Sequence, residues 1–217
     1  MLGLSGSDGL SREIDFSSRT AAWCGDGSQG FAVAGSEGSP GFMQPNLAIH
    51  HVCGLDELRL APLSSADRVV SILDPWAPEP DELRCIDAPV LVLRFDDSND
   101  ARHATAPRAA HIRELLAFDA GAHEGERLVV HCTAGISRST GALAVLLAAR
   151  HPELDDEIFA AIRTIRPIAW PNSLVVSLGD ELLGRRGALI SALHRHYEVQ
   201  RRAETETQRA VRSAAHG

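Results

Sequence analysis

The stretch RLVVHCTAGISRST, residues 127–140, joins a strand pattern to a helix pattern through a short loop. Its first five residues are mostly aliphatic and β-branched, which predicts a short buried strand that ends just before Cys132. Small residues follow the cysteine, and the run SRSTGALAVLLAAR then has the apolar character of a buried helix, with Ser137 near its N-cap. The stretch therefore predicts a strand, a loop and a helix, with a cysteine at the mouth of the loop.

The segments around this stretch predict an α/β fold with a central, mostly parallel sheet flanked by helices. Upstream runs such as RVVSIL and PVLVLRF are typical of strands. Downstream, apolar residues recur at helical spacing, and the prolines of RPIAWPN separate two helices. Strands that come first, mixed with helices and then followed only by helices, indicate one α/β domain. The predicted strands are 47–53, 68–73, 89–95 and 127–132, and the predicted helices are 107–118, 137–150, 154–165, 172–183 and 186–205.

The two ends of the chain differ in composition from this predicted domain. Residues 1–44 are rich in Gly and Ser without periodicity, which predicts a disordered extension. Met43 lies just before the first predicted strand. A second hypothesis is therefore that the native protein begins at Met43 and does not include the residues before it. We expect a single domain over 45–205, long enough to bury a core, and a flexible tail over 206–217.

The composition of the 217 residues limits the classes of partner. The net charge is -8 without a basic cluster, so we expect no nucleic-acid partner. No apolar run approaches the roughly 20 residues of a transmembrane helix, so we expect no membrane partner. The four cysteines are scattered without metal-ligand spacing, which predicts a cytoplasmic protein with no metal and no other cofactor.

A loop of small residues between a strand and a helix is suited to bind an oxyanion such as phosphate. Its backbone N–H groups can turn toward one point, and the positive end of the following helix adds to the attraction. Arg138 can reach back and hold two oxygens with its planar guanidinium group. These positive surroundings favour a nucleophilic thiolate at Cys132. We therefore predict Cys132 and Arg138 as catalytic residues, and we predict the phosphate-binding residues to be Thr133, Ala134, Gly135, Ile136, Ser137 and Arg138.

A lone cysteine at a strand end is usually a buried structural residue, so it is the joint pattern that favours catalysis. The run HCTAGISRS resembles the H-C-x-x-G-x-x-R-S/T signature of the cysteine-dependent protein tyrosine phosphatase superfamily. RPIAWPN is similar to the R-P-x-x-x-P-N turn of its small dual-specificity members, and the combination most resembles tyrosine phosphatase-like proteins of proteobacteria. The resemblance covers about residues 47–183.

This resemblance implies a phosphatase fold in which the active site lies between a strand, a phosphate loop and a helix. It implies metal-independent hydrolysis of phosphotyrosine, with phosphoserine and phosphothreonine as further substrates, through a phosphocysteine intermediate. The partner would then be a phosphorylated protein or a small phosphoester.

The resemblance also implies an aspartic acid that protonates the leaving oxygen. The strand run VLVLRF is followed by Asp96, Asp97 and Asp100, and Asp97 lies 35 positions before Cys132 (132 minus 97). That spacing is typical of the small dual-specificity members and favours Asp97, with Asp96 as the alternative. Neighbours on an extended segment point to opposite sides, so only one should face the site. An acidic turn is the simpler explanation of such a cluster, but its position favours catalysis.

Supporting roles follow from the same resemblance. Ser139 would donate a hydrogen bond to the catalytic sulfur and help it leave as a thiolate. His131 would brace the loop through hydrogen bonds, and Asn172 would support the loop or cap the next helix. Trp76 and Trp170 could border the pocket, but packing in the core or anchoring of loops is the safer expectation for both.

Other functions fit parts of the pattern. Inositol-phosphate or phosphoinositide phosphatases use a similar loop, but those with highly charged substrates tend to carry lysine there, and this sequence contains no lysine. A non-catalytic phosphoprotein-binding module generally loses the cysteine or the arginine, and both are present. A rhodanese-like sulfurtransferase usually has its arginine one position sooner. These functions stay as alternatives to phosphotyrosine hydrolysis.

Overall fold

A computed structural model, which describes residues 49–123 and 125–214, contains a sheet of four parallel strands in the order β1-β4-β2-β3. Val130 of the inner strand β4 lies opposite Val52 on one side and Val70 on the other. The α/β class is confirmed, and this sheet is parallel throughout. The predicted extension over 1–44 and the first predicted strand residues, 47 and 48, lie outside the described residues. The strands are β1 (His51–Cys53), β2 (Arg68–Leu73), β3 (Val90–Arg94) and β4 (Leu128–His131).

Five α-helices follow the predicted pattern, with ends that shift by a few residues. Short 3-10 helices, of which Leu55–Leu60 is the longest, connect the strands. The last α-helix continues past the predicted end at 205, so residues 206–214 are helical, while a flexible tail over 206–217 stays a prediction. Among the described residues, no helix combines the length and the apolar character needed to cross a bilayer. The helices are α1 (Ala109–Asp119), α2 (Arg138–Arg150), α3 (Asp156–Ile165), α4 (Ser173–Leu182) and α5 (Ala188–Ala214).

The sheet is buried on both faces. Val70, Ile72 and Val130 belong to the main core, which they share with residues of all five α-helices. Their neighbours Val69 and Val129 belong to a second, smaller core that includes Leu58 of the 3-10 helix. Burial on both faces is the reason that these strands appear in the sequence as continuous aliphatic runs rather than as alternating ones.

The parallel sheet brings the ends of its strands to one edge. In a parallel sheet the carboxyl ends of all strands lie at the same edge, which is where such folds bind ligands. Gly54 follows β1, Asp74 follows β2, Asp97 lies shortly after β3, and Cys132 follows β4. The topology therefore collects residues that are far apart in the sequence around the loop that was predicted to bind phosphate.

Two buried histidines, His50 before β1 and His131 at the end of β4, couple folding to pH. Burial lowers the pKa of each imidazole from 6.5 to about 4. Between these values the unfolded chain binds protons that the folded chain does not, so stability is lost as the pH falls below 6.5. We expect the free energy of unfolding to drop by about 2 kcal/mol per histidine between pH 7 and pH 5, measured by urea unfolding.

The control for this prediction compares a buried histidine with an exposed one. His50→Gln should reduce the pH dependence, whereas the same change at the exposed His194 should leave it as it is. A free energy of unfolding that stays constant between pH 7 and pH 5 would contradict the prediction.

Candidate active site

The loop between β4 and α2 is held by hydrogen bonds to all of its carbonyl groups. The carbonyl oxygens of residues 133–137 accept hydrogen bonds from neighbouring segments, at 2.9 to 3.3 Å. In a planar trans peptide the C=O and N–H groups point in opposite directions, so the N–H groups of residues 134–138 face the other side of the loop. The donors to the carbonyls are the backbone N–H groups of Leu55, Trp170 and Asn172 and the side chain of Arg166.

The side of the loop that carries the N–H groups faces the sulfur of Cys132. The N–H group of Gly135 lies 3.3 Å from Sγ of Cys132 and donates to it. The N–H groups of Ala134, Ile136, Ser137 and Arg138 have no hydrogen-bond partner within residues 49–123 and 125–214. Unpaired N–H groups on one side of a loop are available to bind an anion, which is the role that the sequence leads us to expect of this loop.

Glycine is required at position 135 for two reasons. Its φ of +69° lies in the left-handed region, which side chains disfavour. A Cβ there would lie 2.4 Å from the carbonyl carbon of Cys53 and 2.5 Å from the nitrogen of Gly54. The loop therefore packs directly on the chain that leaves β1.

The thiol of Cys132 is buried beneath this loop, with an exposed fraction of 1%. Its Sγ lies 3.3 Å from Oγ of Ser139 at the start of α2, which is the contact that the sequence predicted. Cys53, at the end of β1, is also buried, and burial raises the pKa of its thiol to about 12, so Cys53 stays protonated near neutral pH. Of these two buried thiols, only Cys132 receives a hydrogen bond from the loop.

Arg138 is buried and keeps one donor free. Its Nη1 lies 2.7 Å from Oδ1 of Asp74 and donates to the carbonyl of Phe95 at 2.8 Å. Its Nη2 donates to Oγ1 of Thr133 at 2.8 Å. Its Nε is buried and has no partner among the residues that the structure describes. A buried donor without a partner is costly, and an anion bound in the loop would satisfy it.

The neighbours Asp96 and Asp97 point to different partners. Oδ1 of Asp97 accepts hydrogen bonds from Oγ of Ser137 at 2.6 Å and from Nδ2 of Asn172 at 2.8 Å, so its carboxylate lies at the phosphate loop. The carboxylate of Asp96 instead accepts from the hydroxyl of Thr105. The structure thus brings Asp97, and not Asp96, to the loop, as the spacing and the strand alternation favoured.

Three residues near the loop bear on the roles expected from the sequence. Asn172 has both roles proposed for it, because its Oδ1 caps α4 at the N–H of Val175 while its own N–H donates to the carbonyl of Ser137 in the loop. Ser137 is at the N-cap position of α2, as predicted, but its hydroxyl donates to Asp97 instead of capping the helix. The imidazole of His131 is fully buried; burial lowers its pKa, a backbone hydrogen bond with Cys132 opposes this, and its bracing of the loop stays a prediction.

The two tryptophans have opposite environments. Trp170 anchors a loop as expected, because its N–H donates to Ile136 and its ring stacks on Tyr197 with 4.9 Å between centroids. Burial raises the pKa of Tyr197 to about 12, and the charge of Asp97 adds to this effect. Trp76 is 92% exposed, so the expectation that it packs in the core is wrong.

The sequence reasoning did not find Asp74, Glu57 or the role of Arg166. Arg166 donates to the carbonyls of Ala134 and Gly135 and pairs with Glu57 at 2.9 Å. Hydrogen bonds from Arg166 and from the backbone of Gly54 lower the pKa of Glu57, so this carboxyl stays ionised. Arg166 is the first residue of the RPIAWPN run, and Asp74 directly follows a predicted strand. Each position could therefore have been recognised in the sequence as a candidate site residue.

No metal site is found in the part of the chain that the structure describes. Within residues 49–123 and 125–214, no group of three or more His, Cys, Asp or Glu side chains is arranged to hold a metal ion. The groups that face the sulfur of Cys132 are donors of hydrogen bonds, which bind an anion directly.

Comparisons with known proteins give distant likenesses. No protein-family model and no curated protein matches the chain. The phosphatase domain of Yvh1 from Chaetomium thermophilum is 22% identical over 65% of this chain and 94% of that chain, with a TM-score of 0.47. Human DUSP28 is 18% identical over 65% and 95%, with a TM-score of 0.48. PTPMT1, solved in complex with PI(5)P, is 19% identical over 63% and 91%, with a TM-score of 0.45. At such distances, a function for this chain has to follow from its own residues.

The contact of Gly135 with β1 gives a testable stability difference. We expect Gly135→Ala to lower the free energy of unfolding by roughly 3 kcal/mol, because it adds a steric clash to the strain of a positive φ. Gly184 has a similar φ of +66° but open space around it, so Gly184→Ala should cost only about 1 kcal/mol. Urea unfolding of both variants measures the difference, and equal losses would show that the clash is not significant.

Proposed function

We propose that the chain is a cysteine-dependent phosphatase that hydrolyses phosphotyrosine esters, with phosphoserine and phosphothreonine as further substrates. The observation that carries this proposal is the set of unpaired donors on the loop that directly follows Cys132. The N–H of Gly135 donates to Sγ of Cys132, and Nε of Arg138 and further loop N–H groups are unpaired among the described residues. A phosphoryl group bound by these donors would lie against the nucleophile, which fits a phosphate monoester better than a neutral substrate.

In the first step, the thiolate of Cys132 attacks phosphorus and the bond from phosphorus to the ester oxygen breaks. Asp97, as a carboxylic acid, gives its proton to that oxygen, so the alcohol or phenol leaves neutral. The negative charge of the three remaining oxygens is stabilised by the loop N–H groups and by Arg138. The product on the protein is a phosphocysteine.

In the second step, a water molecule attacks the phosphocysteine and the bond between phosphorus and sulfur breaks. The carboxylate of Asp97 takes the proton of the water, and inorganic phosphate leaves. The hydroxyl of Ser139, at 3.3 Å, donates to the departing thiolate of Cys132 and stabilises it. The proton of Asp97 and the thiolate of Cys132 are thereby restored.

The proposed partner is a phosphorylated protein or a small phosphoester, and the proposed compartment is the cytoplasm. Cys53, Cys85 and Cys132 are all free thiols, which supports a reducing environment. The proposed mechanism uses no metal, because the loop N–H groups and Arg138 stabilise the negative charge of the transferred phosphoryl group.

Hydrolysis of para-nitrophenyl phosphate in the presence of a chelator tests the assignment. Cys132→Ser should reduce turnover to background, because it removes the nucleophile. Asp97→Ala should lower kcat by about 100-fold, because it removes the proton donor. The matched control Asp96→Ala should change kcat by less than about threefold, since Asp96 is held on the other side of the segment.

Two results would count against this mechanism. Full activity in Cys132→Ser would exclude the phosphocysteine, and a larger loss in Asp96→Ala than in Asp97→Ala would reverse the choice of acid. Binding of a phosphopeptide by folded wild-type protein without turnover would indicate a binding module instead.

Ser139→Ala separates the two chemical steps. Loss of its hydrogen bond to the thiolate should slow the second step, so kcat should fall by about tenfold while phosphocysteine accumulates. Stopped-flow measurement should show a burst of para-nitrophenol close to one equivalent per enzyme. Ser191→Ala on the exposed side of α5 serves as the control and should behave as wild type. A reduced kcat without a burst would place the effect of Ser139 in the first step.

A further inference from the structure

We propose that Asp74 makes the site selective for substrates that carry a single phosphate, because its carboxylate occupies the side of Arg138 on which a second anionic group would bind. This inference rests on the proposed function and concerns which phosphoesters the same site accepts. The favoured substrate is a phosphorylated residue whose aromatic or aliphatic side chain carries no charge apart from its phosphate. Inositols with several phosphates are disfavoured.

The contacts of Asp74 place its charge at the mouth of the site. Oδ1 lies 2.7 Å from Nη1 of Arg138, and Oδ2 accepts a hydrogen bond from Oγ1 of Thr133 at 3.3 Å. The side chain of Asp74 is 48% exposed, whereas that of Arg138 is 4% exposed. The Nη1 side of the guanidinium group is therefore taken up by a carboxylate, while the buried Nε and the second hydrogen of Nη2 are left for the phosphoryl group.

Three further arginines around this edge of the sheet are paired with carboxylates, whereas Arg108 donates to backbone carbonyls of its own loop. A second phosphate is normally bound by arginine or lysine side chains that can form charge-assisted hydrogen bonds. Here three of those arginines already have a carboxylate partner, and Asp74 adds negative charge that repels a further anion. The pairs are Arg94 with Glu79 at 3.2 Å, Arg102 with Asp100 at 2.8 Å and Arg166 with Glu57 at 2.9 Å.

Large apolar side chains are exposed on the same loops. Trp76, two residues after Asp74, is 92% exposed, and Ile168 is 56% exposed. Ile168 belongs to the loop in which the N–H of Trp170 donates to Ile136 of the phosphate loop. Exposed apolar groups beside a polar site are typical of surfaces that bind an apolar ligand. Such a ligand could be the aromatic ring of a phosphotyrosine together with the side chains next to it in the peptide.

The test compares kcat/KM for two substrates in wild type and in Asp74→Asn. One substrate is a phosphotyrosine peptide with uncharged side chains, and the other is a soluble inositol-bisphosphate lipid with short acyl chains. Wild type should prefer the peptide, and Asp74→Asn should reduce this preference by about tenfold, because it removes one charge near the second phosphate. Asp87→Asn removes an exposed charge from the same connection between β2 and β3 without a contact to Arg138, and it should keep the wild-type preference within about twofold.

The outcomes separate this inference from the proposed function. An unchanged preference in an active Asp74→Asn variant, or an equal loss on both substrates, would overturn the selectivity and leave the phosphatase assignment intact. A wild type with the higher kcat/KM for the bisphosphate would likewise overturn the selectivity and leave the phosphatase assignment intact. A folded wild type that hydrolyses neither substrate would overturn the phosphatase assignment itself, and the inference with it.

A second variant and a second measurement guard against misfolding of Asp74→Asn. Asp74→Ser, checked by thermal unfolding, should show the same reduced preference. In wild type the preference should shrink as the salt concentration rises, because screening weakens the repulsion, and it should depend less on salt in Asp74→Ser. A preference that is insensitive to salt in wild type would also overturn the inference.

Discussion

The hydrogen bonds that hold the carbonyl groups of residues 133–137 away from Cys132 are the constraint on which the site depends. Each of these bonds fixes one peptide plane, and the plane between Ala134 and Gly135 directs its N–H group to the sulfur. The partners come from the end of β1 and from the segment before α4, so the shape of the loop depends on the packing of both against it. Recognition of phosphate, as we propose it, would therefore be a property of the folded backbone more than of individual side chains.

The same contacts link the stability of the domain to the geometry of the site. Gly135 approaches the chain after β1 so closely that no other residue fits there, and Arg166 connects the loop to Glu57 on the following 3-10 helix. Beneath the loop, α2 is buried from Arg138 to Ala148, so the helix cannot shift without disturbing the main core. Buried cores deform little, which keeps the loop in a shape that is ready to bind an anion before the substrate arrives.

The sequence predicted the parts of this structure that depend on local pattern. The run from residue 127 to 150 forms a strand, a loop and a helix because its own residues favour each state in turn, and alternation along the chain after β3 separates Asp97 from Asp96. The partners that are distant in sequence were not predicted. Asp74 is 59 positions from Thr133, and Glu57 is 109 positions from Arg166, so only the order of the strands brings them together.

One local prediction was wrong, and one correctly placed residue makes an unusual contact. Ser137 lies at the N-cap of α2 as predicted, but its hydroxyl donates to the carboxylate of Asp97 at 2.6 Å rather than capping the helix. The end of α5 was placed where apolar spacing stops at 205, yet the following residues are mostly Ala, Glu, Gln and Arg. Such residues favour a helix even when it is fully exposed, so the helix continues to Ala214 without a core to pack on.

In the function we propose, a site that binds phosphate mainly through backbone N–H groups would treat every phosphate monoester alike. Those donors would contact the phosphoryl oxygens, which are the same in phosphotyrosine, phosphoserine and a phosphoinositide, so they would contribute little to discrimination. Selectivity must then arise at the mouth, where substrates differ in charge and in apolar surface. Asp74 supplies a charge there, and Trp76 supplies an exposed ring two residues further on. The turn after β2 is therefore the segment in which a change of sequence would alter substrate choice without altering the chemistry at Cys132.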